Sequence, residues 1–269
     1  IGYNALLGGD MGDFGDITHR YFVENVAIGH LAMDNTTSND SIGQIAIGSS
    51  ALGGLTSGGD NVAIGYNAGL VISTGNANVA IGRKAMVDVV EGANNVAIGD
   101  SAFGGALDAT ADASLDNVFI GKDSGSGAWA TAVSNGNVGV GFETLSGAMD
   151  GAGQNTCVGY QSGKAIQEGD YNVLVGSQAG DSIIDSSSNV LIGYGAGATT
   201  TAASQSVGIG YDCMADGTAS VIGTVAVGVG SLKNLAGGAR NLAIGYHAAT
   251  VMTQGDDNIV IGYSAFGAA

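Results

Sequence analysis

The chain has no proline, two cysteines, one tryptophan and only seven lysines and arginines in 269 residues. Each scarcity closes off a class of answer. The cations (Arg20, Arg83, Lys84, Lys122, Lys164, Lys233, Arg240) are scattered, and 24 acids leave a net charge of -17. Binding to phosphates needs a clustered cationic patch, so nucleic acid is not an expected partner and an anionic membrane surface is disfavoured. No apolar run of membrane-spanning length, no signal-peptide pattern and no heptad segment occurs, so membrane insertion is not expected. The 49 glycines follow no Gly-X-Y register, which excludes collagen. Disorder is disfavoured by 45% hydrophobic against 12% charged residues.

Residues for chemistry are also few. There are four glutamates, and the three histidines (His19, His30, His247) have no cysteine or second histidine at metal-ligand spacing. A carboxylate pair drawn from Asp108, Asp112 and Asp116 would be an accident of spacing. The expectation is therefore a non-enzyme without a cofactor. Acids do precede several repeats, as Gly59-Asp60, Gly169-Asp170 and Gly255-Asp256-Asp257. A repeated calcium motif would put aspartate in nearly every unit, but Ala77, Ala93 and Ala239 stand in such turns. Ordinary acidic turns are the preferred reading, with calcium as the alternative.

What the chain does have is one pentapeptide, over and over. Asn61-Val62-Ala63-Ile64-Gly65 is followed by Asn78-Val79-Ala80-Ile81-Gly82 and Asn95-Val96-Ala97-Ile98-Gly99. Its glycine recurs at Gly48, Gly65, Gly82, Gly99 and, after longer gaps, at Gly159, Gly176, Gly193 and Gly210, with a basic period of 17. A strict short repeat means stacked units in a solenoid. Fifteen such marks at about 4.8 Å per coil give roughly 70 Å. Burying one Val and one Ile yields about 3–6 kcal/mol, while ordering 17 residues costs on the order of 25 kcal/mol. A lone coil cannot fold, so contact between coils must supply the rest.

With the glycine as position zero, positions -1 and -3 are β-branched and share a strand face. They predict a core of Val62, Ile64, Val79, Ile81, Val96 and Ile98, so that Ile98→Asp should abolish folding. Position -2 should then face outward, yet it is uncharged (Ala63, Ala80, Ala97, Phe119, Leu174), which calls for a covering layer such as another copy of the chain. Positions +3 and +4 read as a tightly packed return strand. Gly75, Gly92, Gly169 and Gly255 read as turn glycines in conformations closed to other residues. The asparagine at -4 has two open readings: a hydrogen-bonded column along the stack, or a residue shaping its own turn. Cys157 and Cys213 fall about 14 Å apart on this stacking, too far for a disulfide, and read as small buried thiols.

The pattern Asn61-Val-Ala-Ile-Gly-Tyr-Asn-Ala68, repeated as Asn241-Leu-Ala-Ile-Gly-Tyr-His-Ala248, resembles repeats of bacteriophage tail-fibre proteins. It also resembles the head repeats of trimeric autotransporter adhesins, whose repeat is usually shorter. The resemblance covers essentially the whole chain. It implies a left-handed parallel β-roll, three chains intertwined or side by side, and a role in attachment. The hexapeptide of left-handed β-helix acyltransferases is matched once per coil rather than three times.

Surface candidates follow the repeat. Tyrosine occupies +1 at Tyr66, Tyr194, Tyr211 and Tyr246 among others, as a sugar-stacking or protein-contact stripe or as a column stabilising one edge. Insertions near 12–22, 104–116 and 125–135 should project from the coils, offering Tyr21, Phe22 and Trp129 as anchors. Trp129 could equally fold back and pin its own loop. The sequence thus predicts one all-β domain over 1–269: a parallel β-solenoid of about 17 residues per coil, read as a segment of a longer extracellular homotrimeric fibre. A viral tail fibre leads, with a bacterial surface adhesin or self-assembling filament next and a glycan-cleaving tailspike remote. Its partners are expected to be itself and a cell-surface glycan or protein receptor.

Overall fold

The computed structural model describes residues 24–35, 41–105, 113–129, 132–217 and 221–267. It is an all-β parallel solenoid, with no helix among the described residues. The chain divides into two compact units, 1–136 and 137–269. The first stacks six three-residue strands, β1 (Val26–Ile28), β2 (Ile45–Ile47), β3 (Val62–Ile64), β4 (Val79–Ile81), β5 (Val96–Ile98) and β6 (Val118–Ile120). The second stacks β7 (Val138–Val140), β8 (Thr156–Val158), β9 (Val173–Val175), β10 (Val190–Ile192), β12 (Val207–Ile209), β14 (Val225–Val227), β16 (Leu242–Ile244) and β17 (Ile259–Ile261). A smaller parallel ladder there joins β11 (Ala203–Ser204), β13 (Val221–Ile222) and β15 (Gly238–Ala239). Registers repeat rung for rung, with Val62 opposite Val79, Ala63 opposite Ala80 and Ile64 opposite Ile81.

The repeat glycine sits where the chain turns out of each strand. Its φ is +139° at Gly65 and +133° at Gly82, and a Cβ on either would overlap the carbonyl oxygen of the glycine one coil on. Gly75, Gly92 and Gly169 are needed for a different reason from the one their turns suggest. Their φ values are not left-handed. A Cβ there would run into the backbone of the next coil instead, at the carbonyls of Gly92, Ser114 and Ser186.

Position +4 does not lie on a return strand. Ser50, Asn67 and Lys84 at +2 and Leu52, Met86 and Phe103 at +4 all have φ between 47° and 59°. Alternation of left-handed residues is incompatible with extended chain, so this leg is a run of turns. Each such residue costs of order 1 kcal/mol. Bonds between coils hold them there: Asn67 N–H donates to the Ser49 carbonyl below (2.9 Å) and Leu52 N–H to the Ala68 carbonyl above (3.0 Å).

The asparagine column forms the polar wall of the lumen. The Asn78 Oδ1 accepts both the backbone N–H (3.0 Å) and the side-chain amide (3.3 Å) of Asn95, while Asn78 Nδ2 donates to the Gly92 carbonyl at 2.7 Å. Of the two readings open in the sequence, the column along the stack is the one found. Where serine and threonine replace asparagine, hydroxyls take over: Ser206 N–H donates to Asn189 Oδ1, Thr224 N–H to Ser206 Oγ and Asn241 N–H to Thr224 Oγ1.

The core is the opposite of the one expected. Ala46, Ala63, Ala97, Phe119, Leu174 and Leu191, at position -2, are fully buried. Val62, Ile64, Val79, Ile81, Val96 and Ile98 are half-buried on the outer face of their strands. The reason is space. Side chains from the turn leg, such as Leu52, Met86, Ile72 and Val89, already fill the lumen, and the strand facing them has room for alanine.

Candidate interaction surface

Four of the sequence's candidates lie on the surface as expected. Tyr66, Tyr194, Tyr211 and Tyr246 are each about half exposed, between 49% and 54%. They stand just past the glycine where the chain leaves its strand. The rings stack along the coils: Tyr194 on Tyr211 at 5.2 Å and 13°, Phe142 on Tyr160 at 5.5 Å and 11°, and Tyr246 on Tyr263 at 5.4 Å and 7°.

Trp129 is a correction. It is 1% exposed, with its ring 4.7 Å from Phe103 and 5.7 Å from Phe119, so it fills the lumen instead of presenting an anchor. Its Nε1 hydrogen has no partner, a cost accepted for the aromatic contacts. Of the two positions open to Trp129, the tucked one is occupied. Tyr21 and Phe22 lie outside the described residues, as do Asp108 and Asp112.

The feature that sequence reasoning placed inside is the outward aliphatic ladder. Each three-residue strand presents two β-branched or aliphatic side chains on its outer face, including Val26, Ile28, Val173, Ile192, Ile209 and Ile244, each between 36% and 44% exposed. In the 137–269 unit, eight rungs about 4.8 Å apart and about 10 Å wide make an apolar stripe with a footprint of roughly 380 Å², within the range of the largest apolar patch on a typical monomer, which is often functional.

Surface charge is arranged in short-range pairs. Arg83 bridges to Asp100 at 2.9 Å, Lys164 to Glu143 at 2.7 Å, Lys233 to Asp212 at 3.0 Å and Arg240 to Asp257 at 2.6 Å. The guanidinium of Arg83 holds the Asp100 carboxyl below its ordinary range, and Arg240 does the same for Asp257. Acids of the turns before the strands bond to backbone of the neighbouring coil. Asp170 Oδ1 accepts from Gly153 N–H at 2.6 Å and Asp256 Oδ1 from Ala239 N–H at 2.8 Å. Among the described residues no three His, Cys, Asp or Glu side chains are placed to hold a metal ion. Nor is any helix there long and apolar enough to cross a membrane.

Cys157 and Cys213 are free and buried. Burial pushes the Cys213 thiol up to about 12 and the Cys157 thiol further, so neither is a nucleophile at neutral pH. What the described surface offers is aliphatic and aromatic contact. No family model matches the chain, and no curated protein or solved structure matches it.

Proposed function

We propose that this chain is a structural segment of an extracellular fibre, built for attachment or for presenting a receptor-binding surface, with a viral tail fibre as its leading setting. The observation that carries the reading is the outward Val/Ile ladder. A solenoid that closes its own lumen with alanine, asparagine and turn-leg side chains has no internal use for a second aliphatic face. Such a face is costly in water unless something covers it. Its regular rung spacing fits another copy of the same ladder, and three copies about an axis bury every face equally. The scattered ion pairs and net negative charge keep the remaining surface solvated.

A bacterial surface adhesin would use the same construction and differ in what lies beyond this segment. A glycan-cleaving tailspike would need paired carboxylates flanking a groove, for which the sequence offers only Asp108, Asp112 and Asp116, an accident of spacing. The test is incubation of the purified assembly with bacterial surface glycans, together with diffraction from oriented samples. A multi-chain assembly with a reflection near 4.8 Å along its axis and no glycan cleavage supports the fibre. Release of reducing sugar would overturn it.

A further inference from the structure

The stacked tyrosines of the 137–269 unit have a gap of one rung. Gln178 N–H donates to the Tyr160 carbonyl at 2.8 Å and Gly195 N–H to the Ser177 carbonyl at 3.0 Å. Tyr160, Ser177 and Tyr194 therefore occupy three consecutive rungs at the same repeat position. Tyr160 and Tyr194 are 48% and 49% exposed, and each has its outer neighbour stacked on the far side, Phe142 and Tyr211 respectively. Ser177 has no ring to put between them.

The width of that gap selects its occupant. Two rungs at about 4.8 Å set the flanking rings about 9.6 Å apart. A flat aromatic ligand in van der Waals contact on both sides fills about 7 Å and would be loose. A pyranose chair is puckered and carries axial hydrogens on both faces, and it needs roughly 9 Å. The geometry points to the Ser177 rung as a clamp for one neutral pyranose ring, held between Tyr160 and Tyr194. Ser177 at the floor and Gln178 beside it have side chains with no hydrogen bond among the described residues. They supply a hydroxyl and an amide for the sugar's own hydroxyls. The net charge of -17 disfavours an acidic sugar.

The Val229 rung is an internal contrast. It separates Tyr211 from Tyr246 in the same way, since Gly230 N–H donates to the Tyr211 carbonyl and His247 N–H to the Val229 carbonyl. Its branched side chain stands in the gap, and the His247 ring lies 4.3 Å from that of Tyr246. That rung has no polar floor.

The clamp rests on the attachment reading only for its biological use, and its test is separate from the assembly test. Saturation-transfer NMR on the full chain, with millimolar neutral methyl pyranosides of the gluco, galacto and manno series and N-acetylglucosamine, reads binding directly. Transfer to ring C–H protons of at least one sugar is expected. Ser177→Tyr inserts the ring found at neighbouring rungs; it should abolish that transfer and leave the melting curve unchanged. Should it alter the melting curve, Tyr194→Ser decides by the same readout, with at least a ten-fold weaker signal expected. No transfer to any of these sugars, undiminished transfer from the variants, or preferential binding of indole would overturn the clamp.

Discussion

At the scale of single residues, each repeat position answers to the coil above or below it. Asn78 is the clearest case, because its amide serves three neighbours at once: Asn61 Oδ1, Asn95 N–H and the Gly92 carbonyl. Asn78→Ala leaves a buried N–H and a buried carbonyl without partners. A loss of about 3 kcal/mol is expected, read from denaturant unfolding. Asn78→Ser should lose about half as much, because Ser206 shows that a hydroxyl can accept the next N–H in the column. The cysteines give a second prediction. With the thiols buried and their ionisation pushed far above neutrality, neither Cys157 nor Cys213 should react with Ellman's reagent at pH 8, and both should react in denaturant. Rapid reaction of either in the native protein would contradict its burial.

At the scale of the coil, the lumen is filled by an exchange of volume between positions -2 and +4. Large residues at -2 face glycine at +4, as in Phe119 with Gly125, Leu174 with Gly180 and Leu191 with Gly197. A Cβ on each of those glycines would press on the named side chain. Small residues at -2 go with large ones at +4 in several coils, as in Ala46 with Leu52, Ala80 with Met86 and Gly139 with Leu145, while at Ala63 with Gly69 the space is taken by Ile72 and by Leu52 of the neighbouring coil. Leu174→Ala should cost about 2–4 kcal/mol through the cavity it leaves. Gly180→Leu alone should overpack the site. Combined, they recreate the Ala46–Leu52 arrangement, and most of the loss should return in a double-mutant cycle. Additive losses would refute the exchange.

The same exchange explains what the sequence made legible. The 17-residue period fixes the strands and their parallel stacking, because these follow from recurrence alone, whereas the asparagine column was one of two readings until the bonds between coils were seen. Apolar residues at -1, -2 and -3 also showed that both faces of each strand are apolar. They did not show which face is inside, since hydrophobicity ranks Ile64 above Ala63 while lumen volume ranks them the other way. The compensation between Leu174 and Gly180 was the available signal, as only residues that touch need to share volume. Trp129 went unassigned for a related reason. Its coil carries an insertion, so the register that would have matched it to an inward slot was lost.

At the scale of the whole molecule, the inverted faces change what a charge does. Ala97→Asp puts a carboxylate in the dry lumen, costing several kcal/mol, and should prevent folding. Ile98→Asp, expected from the repeat alone to abolish folding, now falls on the outer ladder. It should leave the melting transition of the single chain nearly unchanged and weaken association between copies. On the proposed fibre reading, the burial that matters for Ile98 is burial between copies of the chain. Sedimentation equilibrium of the wild type and Ile98→Asp over a range of concentrations measures this directly. The account predicts a discrete multiple of the chain mass, three copies, for the wild type and a shift toward single chains for the variant. A wild-type protein that stays a single chain at every concentration would contradict it.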